Sequence, residues 1–523
     1  MTRRNLGAVG LLLVALAIAA PLALPAWGTA AVPAREADSF VESIGVNIHT
    51  GNGGTPYRER FEEVEQRLQE LGVNHVRDDL EPDSPAQYQE LSDLAGVGIK
   101  STVILGDPTL GTAVLDELIE TAKTDLAGAV EAVEGPNEFS TSGDPDWKSH
   151  LIAYQQQLYD DVKGDPALSS LPVIGPSIVH GDQGELGDIS GMLDYGNIHS
   201  YPQGNPPDKL GPFIANAKLN SGSKPILATE TGYHTALNWP GENKPVSEAA
   251  MATYMPRLFL EYFRWGIVRT YSYELVDELP DPGLENKERN FGLLRNDLSM
   301  KPAFEALRNT IAILEDPGPA FAPGSLSYRL SDRGTELPGA ESTELHKVLL
   351  QKRDGSFYLA IWRLSSVWDP ATGQPLAAPS EPVTVSVGPG FRVAAEYMPN
   401  LSPEPVLAPS PPGESLTFDV GPQVAILKIV PAEDDSSSSP PPPAQPATVP
   451  EQLDRDAPVM PIPCVVPELR GRRLTAGRIK LKKTVCRLGK ITGARTRSSK
   501  VIKQRPKPGR VLAAGSRVSV KLG

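Results

Sequence analysis

The sequence predicts an α/β chain whose main body is a (β/α)8 TIM barrel followed by a β-sandwich, on three observations. Between Ile44 and Leu314, apolar runs of strand length alternate with stretches that carry apolar residues at helical spacing. After Pro317 the runs shorten, stay β-rich and are cut by Pro, Gly and Asp. No Gly-rich phosphate turn follows the first strand, which tells against a doubly wound open sheet, the other fold that alternates in this way. A chain of 523 residues has room for three or four domains, and its 22% charged and 40% hydrophobic residues suit a globular protein better than a disordered one.

Taken from the N-terminus, Arg3 and Arg4 precede an apolar run over 6–24, and Gly28, Thr29, Ala30 and Ala31 follow it. Basic, apolar and small-residue regions in that order predict a secretory signal peptide over 1–34. An uncleaved anchor is the alternative, because the run approaches the ~20 residues needed to span a bilayer. Pro21, Pro25 and the small-residue exit favour cleavage, so no stable membrane insertion is expected afterwards. The barrel is expected over 40–316, with strands at 44–48, 73–77, 99–105, 129–133, 172–175, 195–199, 224–228 and 267–271. Its clearest helices are expected at 56–71, 147–162 and 247–265, with a last one at Pro302–Leu314. The sandwich follows over 320–431, either as a carbohydrate-binding module or as a domain that buttresses the barrel. An acidic, Ser- and Pro-rich linker over 432–463 is expected to be extended.

Two short segments carry the chemistry: Gly135-Pro136-Asn137-Glu138-Phe139 and Ala228-Thr229-Glu230-Thr231-Gly232. Each places a glutamate just beyond an apolar run, after the fourth and seventh expected strands. In barrel enzymes the C-terminal ends of the strands form the catalytic face. Two carboxyl groups meeting there are the minimum equipment for acid/base cleavage of a glycosidic bond. No His-Glu-x-x-His spacing and no Gly-x-Ser-x-Gly elbow occur, so neither metal catalysis nor a serine hydrolase is supported, and no metal or cofactor is expected.

On Asn137-Glu138 and Thr229-Glu230 the chain resembles the retaining glycoside hydrolases of clan A, whose acid/base ends an Asn-Glu pair after strand four and whose nucleophile follows strand seven. The resemblance spans roughly residues 44–314. It implies Glu138 as acid/base and Glu230 as nucleophile, with carboxyl groups about 5–5.5 Å apart. It also implies that Asn137 meets the sugar 2-hydroxyl and that His199 and Tyr201 stand beside the nucleophile. Arg77, at the end of strand two, is placed to keep Glu230 charged. Asn47 and His49 at strand one, and Tyr233 and His234 after Glu230, are further candidates for sugar contact. Clan members commonly carry a Trp after strand eight; here Tyr273 takes that place as a stacking platform. Glu134 is expected to point into the barrel in a structural role.

The last 60 residues differ in charge. From Cys464 onward 18 Lys and Arg face the single acid Glu468, which leaves about −31 for the rest of a chain whose net charge is −14. The two cysteines, Cys464 and Cys486, are expected to form one disulfide, since a metal site needs about four ligands. Val466-Pro467-Glu468-Leu469, Gln504-Arg505-Pro506-Lys507-Pro508-Gly509 and Ala514-Gly515-Ser516-Arg517-Val518 occur in the order of a PASTA domain, which this segment resembles. The resemblance implies contact with peptidoglycan, and the charge favours an anionic wall polymer. Nucleic acid would satisfy the same charge but is seldom met outside the cell, so it is not expected as a partner. The expectation is a secreted or wall-associated enzyme acting on a polysaccharide or oligosaccharide. The competing expectations are an inactive carbohydrate- or peptidoglycan-binding envelope protein and a transglycosylase.

Overall fold

The computed structural model describes residues 31–179, 181–333, 335–336 and 344–432, and in the C-terminal part 464–467, 469–471, 481, 487–493, 499–508, 511–512 and 516–523. Residues 433–463 of the linker expected over 432–463, most of the expected signal peptide and Cys486, with its expected disulfide, lie outside the described residues. The chain divides into two units, Met1–Asp435 and Ser436–Gly523. Among the described residues no helix is long and apolar enough to cross a membrane.

The first unit is built on eight parallel strands: β1 (Ile44–Asn47), β2 (His75–Asp79), β3 (Lys100–Ile104), β4 (Val130–Glu134), β5 (Val173–Ile174), β6 (Gly196–His199), β7 (Ile226–Thr231) and β8 (Thr270–Ser272). Each pairs with its neighbours in sequence, β8 pairs with β1, and a parallel bridge from Ile174 to Tyr195 joins β5 to β6, so the barrel closes. Inward residues stack in layers, as strand alternation requires. Ala132, Ile174, Leu227 and Tyr271 form a dry layer, and the Tyr271 hydroxyl bonds Thr102 Oγ1 at 2.8 Å. Gly45 makes room for that ring, because a Cβ there would stand 2.5 Å from Tyr271 Cδ1. Above it lies a polar layer of Asn47, Arg77, Glu134, Asn197 and Thr229, all buried. The opposite end is closed by ions: His75 sits between Glu42 and Glu131, and Arg269 also holds Glu131.

The structure moves several expected boundaries. β7 runs three residues further than its apolar run and takes in Glu230, because both flanking strands continue its ladder: Ser200 N–H bonds Glu230 O at 3.2 Å and Tyr273 N–H bonds Thr231 O at 2.7 Å. The single helix expected over 56–71 breaks at Arg60 (φ −139°, ψ 36°) into Pro56–Glu59 and Phe61–Leu71. The break lets Tyr57 turn inward to the barrel mouth while Val64, Leu68 and Leu71 keep the amphipathic face of the second piece on the core. Pro302–Leu314 forms over the expected range, with Pro302 at its first turn.

Beyond the barrel, Thr335–Glu336, Tyr328–Asp332, Glu381–Val387 and Ser415–Val420 form one sheet. Arg35–Glu36, Leu345–Gln351, Phe357–Arg363, Ala425–Pro431, Phe391–Tyr397 and Pro405–Leu407 form the other. Strand Phe357–Arg363 is buried throughout because both its faces are covered. Phe357, Leu359 and Ile361 enter the sandwich core, and Tyr358, Ala360 and Trp362 pack with the barrel helices. Residues 32–34, expected within the leader, belong to this assembly: Val32 and Pro33 pair with Leu326 and Ser325, and Ala34 N–H bonds Gly324 O.

In the second unit, Arg487–Thr492, Arg517–Leu522 and Val501–Arg505 form a three-stranded sheet with Arg517–Leu522 at its centre. Cys464–Val465 pairs with Val511–Leu512. Val466, Leu469, Leu481, Val501, Val518, Val520 and Leu522 make its small core. Gln504 is buried, accepting from Leu469 N–H at 2.6 Å and donating to Pro467 O at 2.8 Å, which ties the Val-Pro segment to the sheet.

Candidate active site

The polar layer supports the mouth of the barrel. Arg77, fully inside it, donates through Nε and Nη2 to both oxygens of Glu134, at 2.7 and 2.8 Å. Its Nη1 reaches Asn47 Oδ1 at 2.8 Å and Glu230 Oε1 at 2.9 Å, and Nη2 also reaches Asn137 Oδ1 at 2.9 Å. One guanidinium therefore fixes Asn137 and the Glu230 carboxylate together, using the planar fork that lysine lacks. Glu134 balances its charge from the pleat below and also accepts from Asn197 Nδ2 at 3.0 Å, with Thr229 Oγ1 3.1 Å away.

Glu230 and Glu138 face one another across the mouth, with a carboxylate oxygen of each and a nitrogen of His199 all within 4.8 Å of one another. Glu230 Oε2 accepts from the Tyr201 hydroxyl at 2.6 Å. Burial pushes the Glu230 carboxyl up, but the charges of His199 and Arg77, with hydrogen bonds from Tyr201 and Arg77, outweigh it and hold the group below the ordinary glutamate range. Glu138 stands at φ 46°, ψ 30°, left-handed backbone that a non-glycine residue enters at a cost of about 1–2 kcal/mol. Its N–H is held by Ser177 Oγ at 2.8 Å, and the same hydroxyl donates to Asn137 Oδ1 at 3.1 Å. Asn137 thus has its oxygen occupied by Arg77 and Ser177 and remains exposed at the mouth.

Hydrogen-bond counting places a proton between the two sides. Asn197 Nδ2 donates to Glu134 and to Gly175 O, so its Oδ1 must accept the single hydroxyl proton of Thr229, 2.7 Å away. Thr229 Oγ1 can then only accept from His199 Nε2, at 3.0 Å. His199 Nδ1 lies 2.8 Å from Glu138 Oε1, a separation that two lone pairs would not tolerate. A proton therefore sits between His199 and Glu138.

Of the residues expected here, Glu138, Glu230, Asn137, Arg77, His199 and Tyr201 come together. Tyr273 and His49 line the same mouth, their rings edge to face at 5.5 Å, and Tyr273 also meets Tyr201 and Phe291. Asn47 does not reach the cleft: it is buried, its oxygen is taken by Arg77, and its Nδ2 donates to Thr229 O at 3.1 Å. It positions the arginine instead. Tyr233 and His234 also fall away, because the chain after β7 turns behind the site. Tyr233 is buried with its hydroxyl on Asn205 O, and His234 packs behind Phe291 with its imidazole pushed down by burial to about 4. Ser177, Asn197, Phe291 and Asp79 were not expected. For Asp79 the period-two step from Arg77 was the available clue.

No protein-family model matches the chain, and no curated protein matches it either. Among solved structures it is similar to a glucosidase from Croceicoccus marinus, at 11% identity and TM-score 0.51, covering 77% of this chain and 98% of that one. This likeness extends over barrel and sandwich together and is one of fold. The chain is also similar to a GH30 endoxylanase from Clostridium papyrosolvens, at 11% identity and TM-score 0.46, covering 77% and 98% of the two chains. A third is a glycoside hydrolase family 17 β-1,3-glucanosyltransferase from Rhizomucor miehei, at 18% identity and TM-score 0.42, covering 51% and 97%.

Proposed function

We propose that this protein is a retaining glycoside hydrolase acting on a polysaccharide or oligosaccharide. The observation that carries the reading is the facing pair, Glu138 with a proton shared with His199 and Glu230 kept ionised by Arg77, His199 and Tyr201. An oxygen–oxygen approach within 4.8 Å suits double displacement, in which the carboxyl groups stand about 5–5.5 Å apart. Glu138 protonates the glycosidic oxygen as the Glu230 carboxylate bonds to the anomeric carbon and the leaving group departs. Water then attacks that carbon, Glu138 takes its proton, and Glu230 is released as carboxylate. The Asn137 amide donates to the 2-hydroxyl, where interactions strengthen as positive charge develops.

The charge and strand pattern of residues 464–523 support a PASTA-like module that holds the secreted enzyme near an anionic wall polymer or peptidoglycan. Turnover of aryl glycosides, with NMR detection of the product anomer, tests the catalytic reading. Glu230→Gln and Glu138→Ala should each lower kcat by about 10³-fold or more. If the wild-type protein cleaves none of a broad glycoside panel, the site belongs to a binding protein. Sugar delivered mainly to a second sugar marks a transglycosylase.

A further inference from the structure

We propose that Asp79 is a sugar-recognition residue of the candidate active site, and that it restricts the site to uncharged glycosides with a free diol while excluding uronides. This rests on the glycosidase reading above. Asp79 ends β2 two residues beyond Arg77, so it points to the same side, one pleat (about 7 Å) nearer the mouth. The glutamates that line the mouth with it have partners: Glu230 has Arg77 and Tyr201, Glu138 has His199, Glu274 has Tyr57, and Glu278 has Asn52 at 2.8 Å. The Asp79 carboxylate has no hydrogen-bond or ion-pair partner among the described residues, and it opens to solvent at the barrel mouth. Burial by the walls of the mouth, offset by Arg77 and reinforced by Glu230 and Glu134, leaves its carboxyl above the ordinary aspartate range, as expected for an uncompensated acid.

A carboxylate offers two acceptor oxygens at a spacing that receives two adjacent hydroxyl protons. A sugar seated on Glu230 can present such a pair of hydroxyls to it. The same surroundings are wrong for a uronate. Arg77 spends its donors on Glu134, Glu230, Asn47 and Asn137, and Lys287, which stands over the Phe291 ring, is paired with Glu288 at 2.7 Å. A substrate carboxylate would meet Asp79, Glu230 and Glu278 with no uncommitted cation from these groups to receive it.

Full-length protein assayed on matched 4-nitrophenyl glycosides provides the test. Neutral hexosides or pentosides should be cleaved with kcat/KM at least about 100-fold above the corresponding uronides. Asp79→Asn should lower kcat/KM on the preferred neutral glycoside by about 10- to 100-fold, with unchanged melting temperature, and should narrow the neutral-to-uronide ratio. A substrate lacking one hydroxyl of the recognised diol should be penalised by the wild type and hardly further by Asp79→Asn, a coupling that a merely structural residue would not produce. Uronide turnover equal to or above neutral turnover, or additive losses in every deoxy comparison, would overturn the assignment while leaving the glycosidase reading intact. Turnover of no glycoside at all overturns both.

Discussion

Three donors decide the state of the Glu230 carboxyl. Removing the Tyr201 hydroxyl, 2.6 Å from Oε2, takes away one interaction that lowers its pKa while burial, which raises it, stays. In Tyr201→Phe the acidic limb of the kcat/KM profile should move to higher pH, with a loss at neutral pH of about tenfold. An unmoved limb would show that Arg77 and His199 suffice. Stability follows the same sign. A carboxyl depressed in the folded state stabilises the protein above its unfolded value of about 4.3 and loses that contribution as pH falls through the folded value. The melting temperature of Tyr201→Phe should therefore lie below that of wild type at neutral pH, and the gap should close in strong acid. Ser177→Ala is a second case. It frees the Glu138 N–H and one tether on Asn137, so kcat should drop by about tenfold with little change in KM, measurable on any cleaved aryl glycoside. The paired glutamates, Asn137 and Arg77 were legible in the sequence because strand ends and chemical type suffice to place them. Ser177 and Asn197 were not, since nothing local distinguishes a serine or asparagine that serves a residue 40 or 63 positions away.

At the level of elements, the barrel was readable because eight apolar runs repeat at a spacing that admits a helix between them. Their ends were not, because a ladder continued by both neighbours carries β7 through polar Thr229, Glu230 and Thr231. Arg35–Glu36 was invisible for a related reason. Two residues have no period, and only their parallel pairing with Leu350 and Gln351 makes them a strand. The helix Glu248–Arg264 and the sandwich strand Phe357–Arg363 meet at a buried polar junction. There Glu261 accepts from Trp362 Nε1 at 3.2 Å and Arg264 Nε at 3.0 Å and also contacts the His346 ring. Glu261→Ala would leave Trp362 Nε1 buried without its acceptor, and we expect a loss of about 1–3 kcal/mol in denaturant unfolding of the first unit. Glu261→Gln keeps one oxygen and should lose less. A loss below about 1 kcal/mol for the alanine variant would mean that water replaces the carboxylate.

Across the whole molecule, charge separates the two units more sharply than sequence distance does, with about −31 before Cys464 and 18 basic residues after it. In the second unit, Arg487 lies opposite Arg517, and Lys503 opposite Lys521, on the exposed sides of neighbouring strands. Such a surface repels itself, which costs stability unless an external polyanion supplies the opposite charge. Every residue placed in the candidate site lies between Asn47 and Phe291, so a protein ending at Asp435 should cleave a soluble aryl glycoside with kcat/KM within about twofold of the full chain. The two proteins should differ on insoluble substrate. Retention of the full chain on isolated cell walls should fall steeply from about 0.05 to 0.5 M NaCl, as the screening length shrinks from over 10 Å to below 5 Å. The truncated protein should be retained weakly at any salt. Retention that survives high salt would point instead to short-range recognition of peptidoglycan by hydrogen bonds, because contacts of that kind are not screened. Equal retention of both proteins would assign wall affinity to the barrel and its substrate cleft, and would leave the positive charge of the second unit without an anchoring role.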